Sequence, residues 1–191
     1  MPNIYSLNDN LVLRSPVASD GATLNSLVEK SPPLDSNSLY CNLLQCTHFS
    51  GTSVAAIFNK SMVGFISGYR PPETPDTLFI WQVVVAETFR GSGLGKTMLH
   101  WLIDQPACTS AVSLSTTITP ENKASWALFK SFARERNAES TKSIMFHREK
   151  HFAGQHDDEH LLTIAPLHQK TIQQHLDDLK GQLHSRASRP F

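Results

Sequence analysis

The sequence predicts an α/β protein built on a mixed sheet, mostly antiparallel, with helices flanking it. Three observations predict it. A tight Asn59-Lys60-Ser61 connection joins two β-prone runs, an apolar run from Leu78 to Val85 reads as a central strand, and a glycine-rich turn leads that strand into a helix and then another strand. Hairpins make neighbouring strands antiparallel, whereas a strand, a crossover helix and a second strand make neighbours parallel. The 191 residues suit one compact domain over 1–165 with a polar extension over 166–191.

Residues 11–15 read as a short strand. Asp20 then caps a helix whose Leu24, Leu27 and Val28 recur at helical spacing, and Ser31-Pro32-Pro33 ends it. A second helix, from 36 to about 46, gathers Leu39, Tyr40, Leu43 and Leu44 on one side. Strands follow at 53–58 and 62–69, and the proline loop from Arg70 to Pro75 cannot continue a ladder. In the next run Phe79, Trp81, Val83 and Val85 alternate with Leu78, Ile80 and Val84, so both faces are apolar and the strand is central. The following helix carries Met98, Leu99, Leu102 and Ile103 up to Pro106. A strand at 111–116, a helix at 125–136 with Leu128, Phe129 and Phe132 inward, and a last strand at 143–147 complete the domain. From about Gly154 the composition turns to His, Asp and Gln. Ile172, Leu176, Leu179 and Leu183 share one stripe, which suits a short amphipathic helix, and 186–191 reads as frayed.

Charge narrows the function classes. Lys+Arg and Asp+Glu are 17 each, and no basic run stands out, which argues against nucleic acid as a partner. No apolar run reaches the roughly 18 to 20 residues that span a bilayer. Met1-Pro-Asn-Ile-Tyr5 lacks a basic flank and apolar segment, so the expected compartment is the cytoplasm, away from membrane. Cys41 and Cys46 fall on different faces of one helix and Cys108 is remote, so no structural disulfide is expected.

The most specific feature is the turn Arg90-Gly91-Ser92-Gly93-Leu94-Gly95-Lys96 between strand and helix. Glycines remove the Cβ atoms that keep a ligand off the backbone, and a helix start leaves N–H donors without partners. With the helix dipole, Arg90 and Lys96 added, such a nest suits a pyrophosphate. A Walker loop would need glycine at position 90, and a dinucleotide fingerprint would need Gly-x-Gly-x-x-Gly; neither fits.

The residues do match Arg/Gln-x-x-Gly-x-Gly/Ala, and the chain resembles the GNAT acyltransferases there. Val85 stands before Arg90 at that superfamily's spacing, and Asn122-Lys-Ala-Ser-Trp-Ala-Leu-Phe129 is similar to its second motif. Longer strings, among them Pro32-Pro-Leu-Asp35-Ser-Asn37-Ser-Leu-Tyr40, Gly64-Phe-Ile-Ser-Gly-Tyr-Arg70, Pro75-Asp-Thr-Leu-Phe-Ile-Trp81-Gln-Val and Thr117-Ile-Thr-Pro-Glu-Asn122, resemble the diaminobutyrate acetyltransferases of ectoine biosynthesis, in order from about Arg14 to Ile164.

That resemblance implies a GNAT fold, with the sheet splayed at its central strand. It also implies transfer of the acetyl group of acetyl-CoA to the γ-amino group of L-2,4-diaminobutyrate, and a homodimer. By the same resemblance Val83 and Val85 offer main-chain groups to pantetheine, the Val85 N–H bonds the thioester oxygen, and Arg90, Gly91, Ser92, Gly93, Gly95, Lys96 and Asn122 complete the cofactor site. Asp35, Tyr40, Arg70 and Trp81 are the substrate candidates, Arg70 for the carboxylate because a guanidinium gives a planar bidentate match. Glu159 is the general-base candidate, directly or through a water, with Asp157 and Asp158 not separated from it by periodicity. Each has a structural alternative: Asp35 a helix cap, Tyr40 core, Arg70 a brace for the proline loop, Trp81 packing. Where many GNAT enzymes carry a tyrosine that protonates the leaving thiolate, this chain has Phe129, and the general acid is left unassigned.

Two other classes compete. His156-Asp-Asp-Glu159-His160 matches an inverted zinc-protease string that would set two ligands and a base on one helical face, but no third ligand is evident, so no metal is expected. A non-catalytic acyl-CoA-binding module, or acetylation of another small diamine, are the remaining alternatives.

Overall fold

The computed structural model describes residues 4–8 as main chain, and 10–32, 34 and 37–167 in full. Asp35 and the stripe from Ile172 to Leu183 lie outside the described residues. The strands are β1 (Ile4–Asn8), β2 (Leu11–Arg14), β3 (Val54–Phe58), β4 (Ser61–Tyr69), β5 (Thr77–Val85), β6 (Ser113–Ile118), β7 (Glu139–Phe146) and β8 (Glu159–Ala165). The longer helices are α1 (Gly21–Glu29), α2 (Leu39–Thr47), α3 (Leu94–Ile103), α4 (Lys123–Glu135) and α5 (Arg148–Phe152). The sheet order is β1-β2-β3-β4-β5-β6-β8-β7. Only β5 and β6 run parallel, joined by α3 as the crossover; every other described pairing is antiparallel.

Local chemistry accounts for much of this. Asn59 and Lys60 both take left-handed backbone, φ 48° and 66°, the conformation that a two-residue hairpin turn requires, and they close β3 onto β4. The Ser38 side chain accepts from the Cys41 amide and starts α2; Asn122 does the same for α4 through the Ser125 amide at 3.0 Å. Asp20 precedes α1 but makes no side-chain cap bond to it. Its carboxylate instead takes both Arg14 donors, at 2.7 and 2.8 Å, and the Val17 amide. Burial would raise its pKa, yet those bonds and the Arg14 charge together hold it below the ordinary carboxylate range.

The core has two parts. One lies between the sheet and α3 with α4, around Met98, Leu99, Leu102, Phe129 and Phe132; the other lies between the sheet and α1 with α2, around Leu24, Val28, Cys46 and Phe65. All three cysteines are free, and burial pushes the thiols of Cys46 and Cys108 up to about 12 and about 11.

Several expectations are corrected. α2 buries Asn42, Gln45 and Cys46, while Leu39 and Tyr40 are exposed, because Asn42 is drawn inward by its hydrogen bond to Asn25 of α1 at 2.9 Å. β1, α5 and β8 were not anticipated, and β7 begins earlier than 143. β8 follows the polar run 154–158 and buries only Leu162 and Ile164 between β6 and β7, too short an apolar signal to separate from that run. As a consequence Glu159 and His160 are strand neighbours, on opposite faces, and share no helical face with His156. No group of three His, Cys, Asp or Glu side chains gathers as a metal set among the described residues.

The central strand is corrected too. Ser67 pairs with Gln82 while Gly68 pairs with Ile80, so Trp81 is one extra residue, a β-bulge. The bulge breaks the alternation: Leu78, Ile80, Val83 and Val85 all pack on the α3 and α4 side, and Val84 packs on the other. Trp81 is left 44% exposed, edge-on to Phe49 and Tyr69. β6 follows β5 only from Thr77 to Ile80 and then stays with β8, so beyond the bulge the sheet divides in two.

Candidate active site

The division of the sheet exposes main chain. The Ala86 amide donates to the Val63 carbonyl at 2.8 Å, which makes 86, 84 and 82 the positions of β5 that bond β4. Antiparallel ladders alternate, so the N–H and C=O groups of Val83 and Val85 point the other way, into the opening that β6 has vacated. Arg90 Nε donates to the Val85 carbonyl at 3.2 Å and pins the loop to the end of the strand.

That loop makes a single 3-10 turn at Glu87–Phe89 and enters α3 through Gly93. Gly91 and Gly93 have φ of 75° and 83°, and a Cβ at either would meet nothing within 4 Å. The left-handed backbone, rather than crowding within the chain, is therefore what demands glycine there. Ser92 Oγ donates to the Phe89 carbonyl at 2.6 Å and braces the turn. Intrahelical bonding begins with the Thr97 amide on the Gly93 carbonyl, so the amides of Leu94, Gly95 and Lys96 have no intrahelical acceptor and stand at the positive end of the α3 dipole.

Two adjoining cavities flank Val83. The first, about 430 Å³, is lined by Val83, Val85, Arg90, Gly91, Gly93, Gly95, Lys96 and Asn122, with Leu128 and Ser131 behind them. Every sequence-predicted cofactor residue except Ser92 lines it. Lys96 is not a bare charge: its Nζ donates to Glu135 Oε1 at 2.5 Å, and His100 Nε2 lies 2.9 Å from the other oxygen. The hydrogen bonds from Lys96 and then His100 lower the Glu135 pKa.

The second cavity, about 590 Å³, is walled by Trp81, Gln82 and Val83 of β5, by 116–119 at the end of β6, and by Arg148, His156, Asp157 and Glu159. Val83 and Asn122 belong to both cavities, so the openings meet at the bulged strand. Glu159 lies at the start of β8, with His156 Nε2 3.9 Å from Oε1. Its two acidic neighbours have other engagements: Asp157 accepts from Arg148 Nη1 at 3.0 Å, and Asp158 accepts from the Arg148 amide at 2.6 Å. Phe129 is buried and lines this cavity without a hydroxyl to offer.

The remaining candidates are not brought together with these. Arg70 lines neither cavity; its Nη1 donates to Ser110 Oγ at 2.5 Å across the loop between α3 and β6. Tyr40 is 70% exposed on α2 and also lines neither. Gln82, the 116–119 segment, Arg148 and His156 were missed as site residues. Only the bulge brings the first into view, and only the return of β8 brings the last two.

This geometry has counterparts. The sequence profile of the Acetyltransferase (GNAT) family matches residues 23–133. The L-2,4-diaminobutyric acid acetyltransferase of Methylotuvimicrobium alcaliphilum is 48% identical over 156 residues, which is 82% of this chain and 91% of that protein. The protein of the same name from Vibrio parahaemolyticus is 46% identical over 153 residues, 80% of this chain and 84% of its own length. Among solved structures, the diaminobutyrate acetyltransferase of Paenibacillus lautus, in complex with its substrate L-2,4-diaminobutyric acid and coenzyme A, superposes with a TM-score of 0.81 at 38% identity and covers 86% of this chain and 99% of that one. An amide nest beside an opened, bulged strand, joined to this degree of identity along most of the chain, makes it a member of the GNAT superfamily and, within it, of the L-2,4-diaminobutyric acid acetyltransferases.

Proposed function

We propose that the protein transfers the acetyl group of acetyl-CoA to the γ-amino group of L-2,4-diaminobutyrate, the acetylation step of ectoine biosynthesis. The observation that carries this is the pair of outward-facing main-chain positions, Val83 and Val85, standing between the amide nest of α3 and the acidic wall at Glu159. Acetyl-CoA, when bound, supplies the acetyl group as a thioester. The amides of Leu94, Gly95 and Lys96, with Arg90, suit its diphosphate, and the Val83 and Val85 groups suit its amide-bearing arm, which adds to the sheet in place of the departed β6.

An aliphatic amine with a reference pKa near 10 is almost wholly protonated at neutral pH and cannot attack a carbonyl. Glu159 is the acceptor for that proton, directly or through one water; Asp157 and Asp158 are spent on Arg148. The Val85 amide donates to the thioester oxygen as negative charge grows on it, a contribution of about 3 kcal/mol to the barrier. Acidic Glu121 and Glu159 favour a cationic amine in the second cavity. Trp81, which lines the second cavity, is a proposed substrate contact; Asp35 and Tyr40 are proposed from the resemblance alone. We read the protein as a cytoplasmic homodimer, for which β7 offers an edge, since it ends the described sheet with Ile144, Met145 and Phe146 exposed. No helix among the described residues is long and apolar enough to cross a membrane.

Mass spectrometry of the products, with diaminobutyrate, ornithine and lysine in competition and thiol release followed in parallel, tests the reaction. The expected result is Nγ-acetyl-diaminobutyrate with one thiol released per acetyl group. No release above background would leave only a CoA-binding module, and preference for another diamine would overturn the substrate.

A further inference from the structure

We infer that the guanidinium of Arg148, at the rim of the second cavity, binds the α-carboxylate of the amino-acid substrate and so selects the acid over uncharged counterparts of the same shape; the inference rests on the function proposed above. The substrate carries a carboxylate into a wall that already holds Glu121 and Glu159, so an opposing cation is needed. Among the described residues lining that cavity, Arg148 is the single lysine or arginine. Arg70, the arginine favoured from sequence, lines neither cavity, and its Nη1 is directed to Ser110.

Arg148 is also held where a ligand can reach it. Its main-chain amide is anchored by Asp158 at 2.6 Å, and its side chain is oriented by Asp157 on Nη1 at 3.0 Å and by Glu149, 3.5 Å from Nε. A guanidinium has five donors, so these contacts leave donors for a bidentate carboxylate. The side chain is 52% exposed, open to the cavity rather than sealed into an internal pair. The loop that orients it leads directly into Glu159, so the carboxylate clamp and the proton acceptor are parts of one connected segment.

The test compares KM for diaminobutyrate and for its amide, 2,4-diaminobutyramide, in the wild type, R148A and R148K, with the acetyl-CoA KM as a check on site integrity. R148A is expected to raise the diaminobutyrate KM about tenfold or more and to leave the amide within about twofold, removing the wild type's preference. R148K should fall between, since lysine keeps the charge and loses the planar fork, and it carries the same comparison should R148A fail to fold. An equal rise for acid and amide, or no rise for the acid, would overturn the assignment of Arg148 while leaving the reaction standing. Failure of the wild type to acetylate diaminobutyrate would overturn the proposed function, and this inference with it.

Discussion

The two cavities that meet at Val83 are built on different principles. The first is made of main chain: three amides at the head of α3, two left-handed glycines and the open edge of β5. Most of it comes from one stretch between 83 and 96, supplemented by Ser31, Pro32 and Leu34 after α1, by Asn122 and by the α4 residues behind it. The second is made of side chains from the α2 approach, the β5 bulge, the end of β6, α5 and the loop before β8. A site made from backbone suits what all its ligands would share, in the proposed function a diphosphate and an amide-bearing arm. A site made from side chains recognises what distinguishes one amine from another.

The difference can be broken or sharpened by substitution. The largest effect is expected from Glu159→Gln, which removes the proposed proton acceptor: kcat should fall about a hundredfold or more while the acetyl-CoA KM holds, as steady-state kinetics with both substrates varied will show. A matching rise in the acetyl-CoA KM would mean that the two cavities are not functionally separate. Next is Gly93→Val, which forces a β-branched residue into φ 83° at the nest. The acetyl-CoA KM should rise about tenfold with that for diaminobutyrate little moved, and an equal effect on both would remove the loop from the cofactor half.

Asp20→Asn tests the scaffold away from both cavities. It breaks the paired contact with Arg14 and should cost about 1–3 kcal/mol in urea denaturation without changing either KM. Because the folded pKa of Asp20 is lowered, its contribution is fully present above the unfolded carboxylate pKa near 4 and is lost as pH falls through the lower folded value. The variant should therefore lose most at neutral pH and converge on the wild type in strong acid. Smallest is Lys96→Ala: since the ammonium is already shared with Glu135, the acetyl-CoA KM should rise only two- to fivefold or so, and a far larger rise would assign the diphosphate to this side chain rather than to the amides.

The same contrast explains what could be read before folding. The nest was legible because its geometry is local: glycines at 91, 93 and 95 after an apolar strand need no distant residue to say what they make. The Asn59-Lys60 hairpin and the β5-α3-β6 crossover were legible for that reason also. Arg70 and Arg148 show the opposite case. Their neighbours in sequence do not say what either arginine faces; the Ser110 contact across the sheet end does so for Arg70, and the return of β8 beside the second cavity does so for Arg148. Likewise the alternation in 78–85 is apolar on both faces with or without a bulge, and only pairing with β4 decides that Trp81 is the extra residue.

By itself, then, the sequence determined the α/β class, the one parallel pairing, the amide nest and, through resemblance over most of the chain, the family. These follow from contacts between residues close in sequence or from strings long enough to be distinctive. The tertiary structure alone decided the direction of each β5 side chain, the opening beside Val83 and Val85, and which acidic and basic groups face the second cavity. Those depend on strand register and on segments more than a hundred residues apart, as Asn37 and Glu159 are, and no local propensity encodes such a meeting.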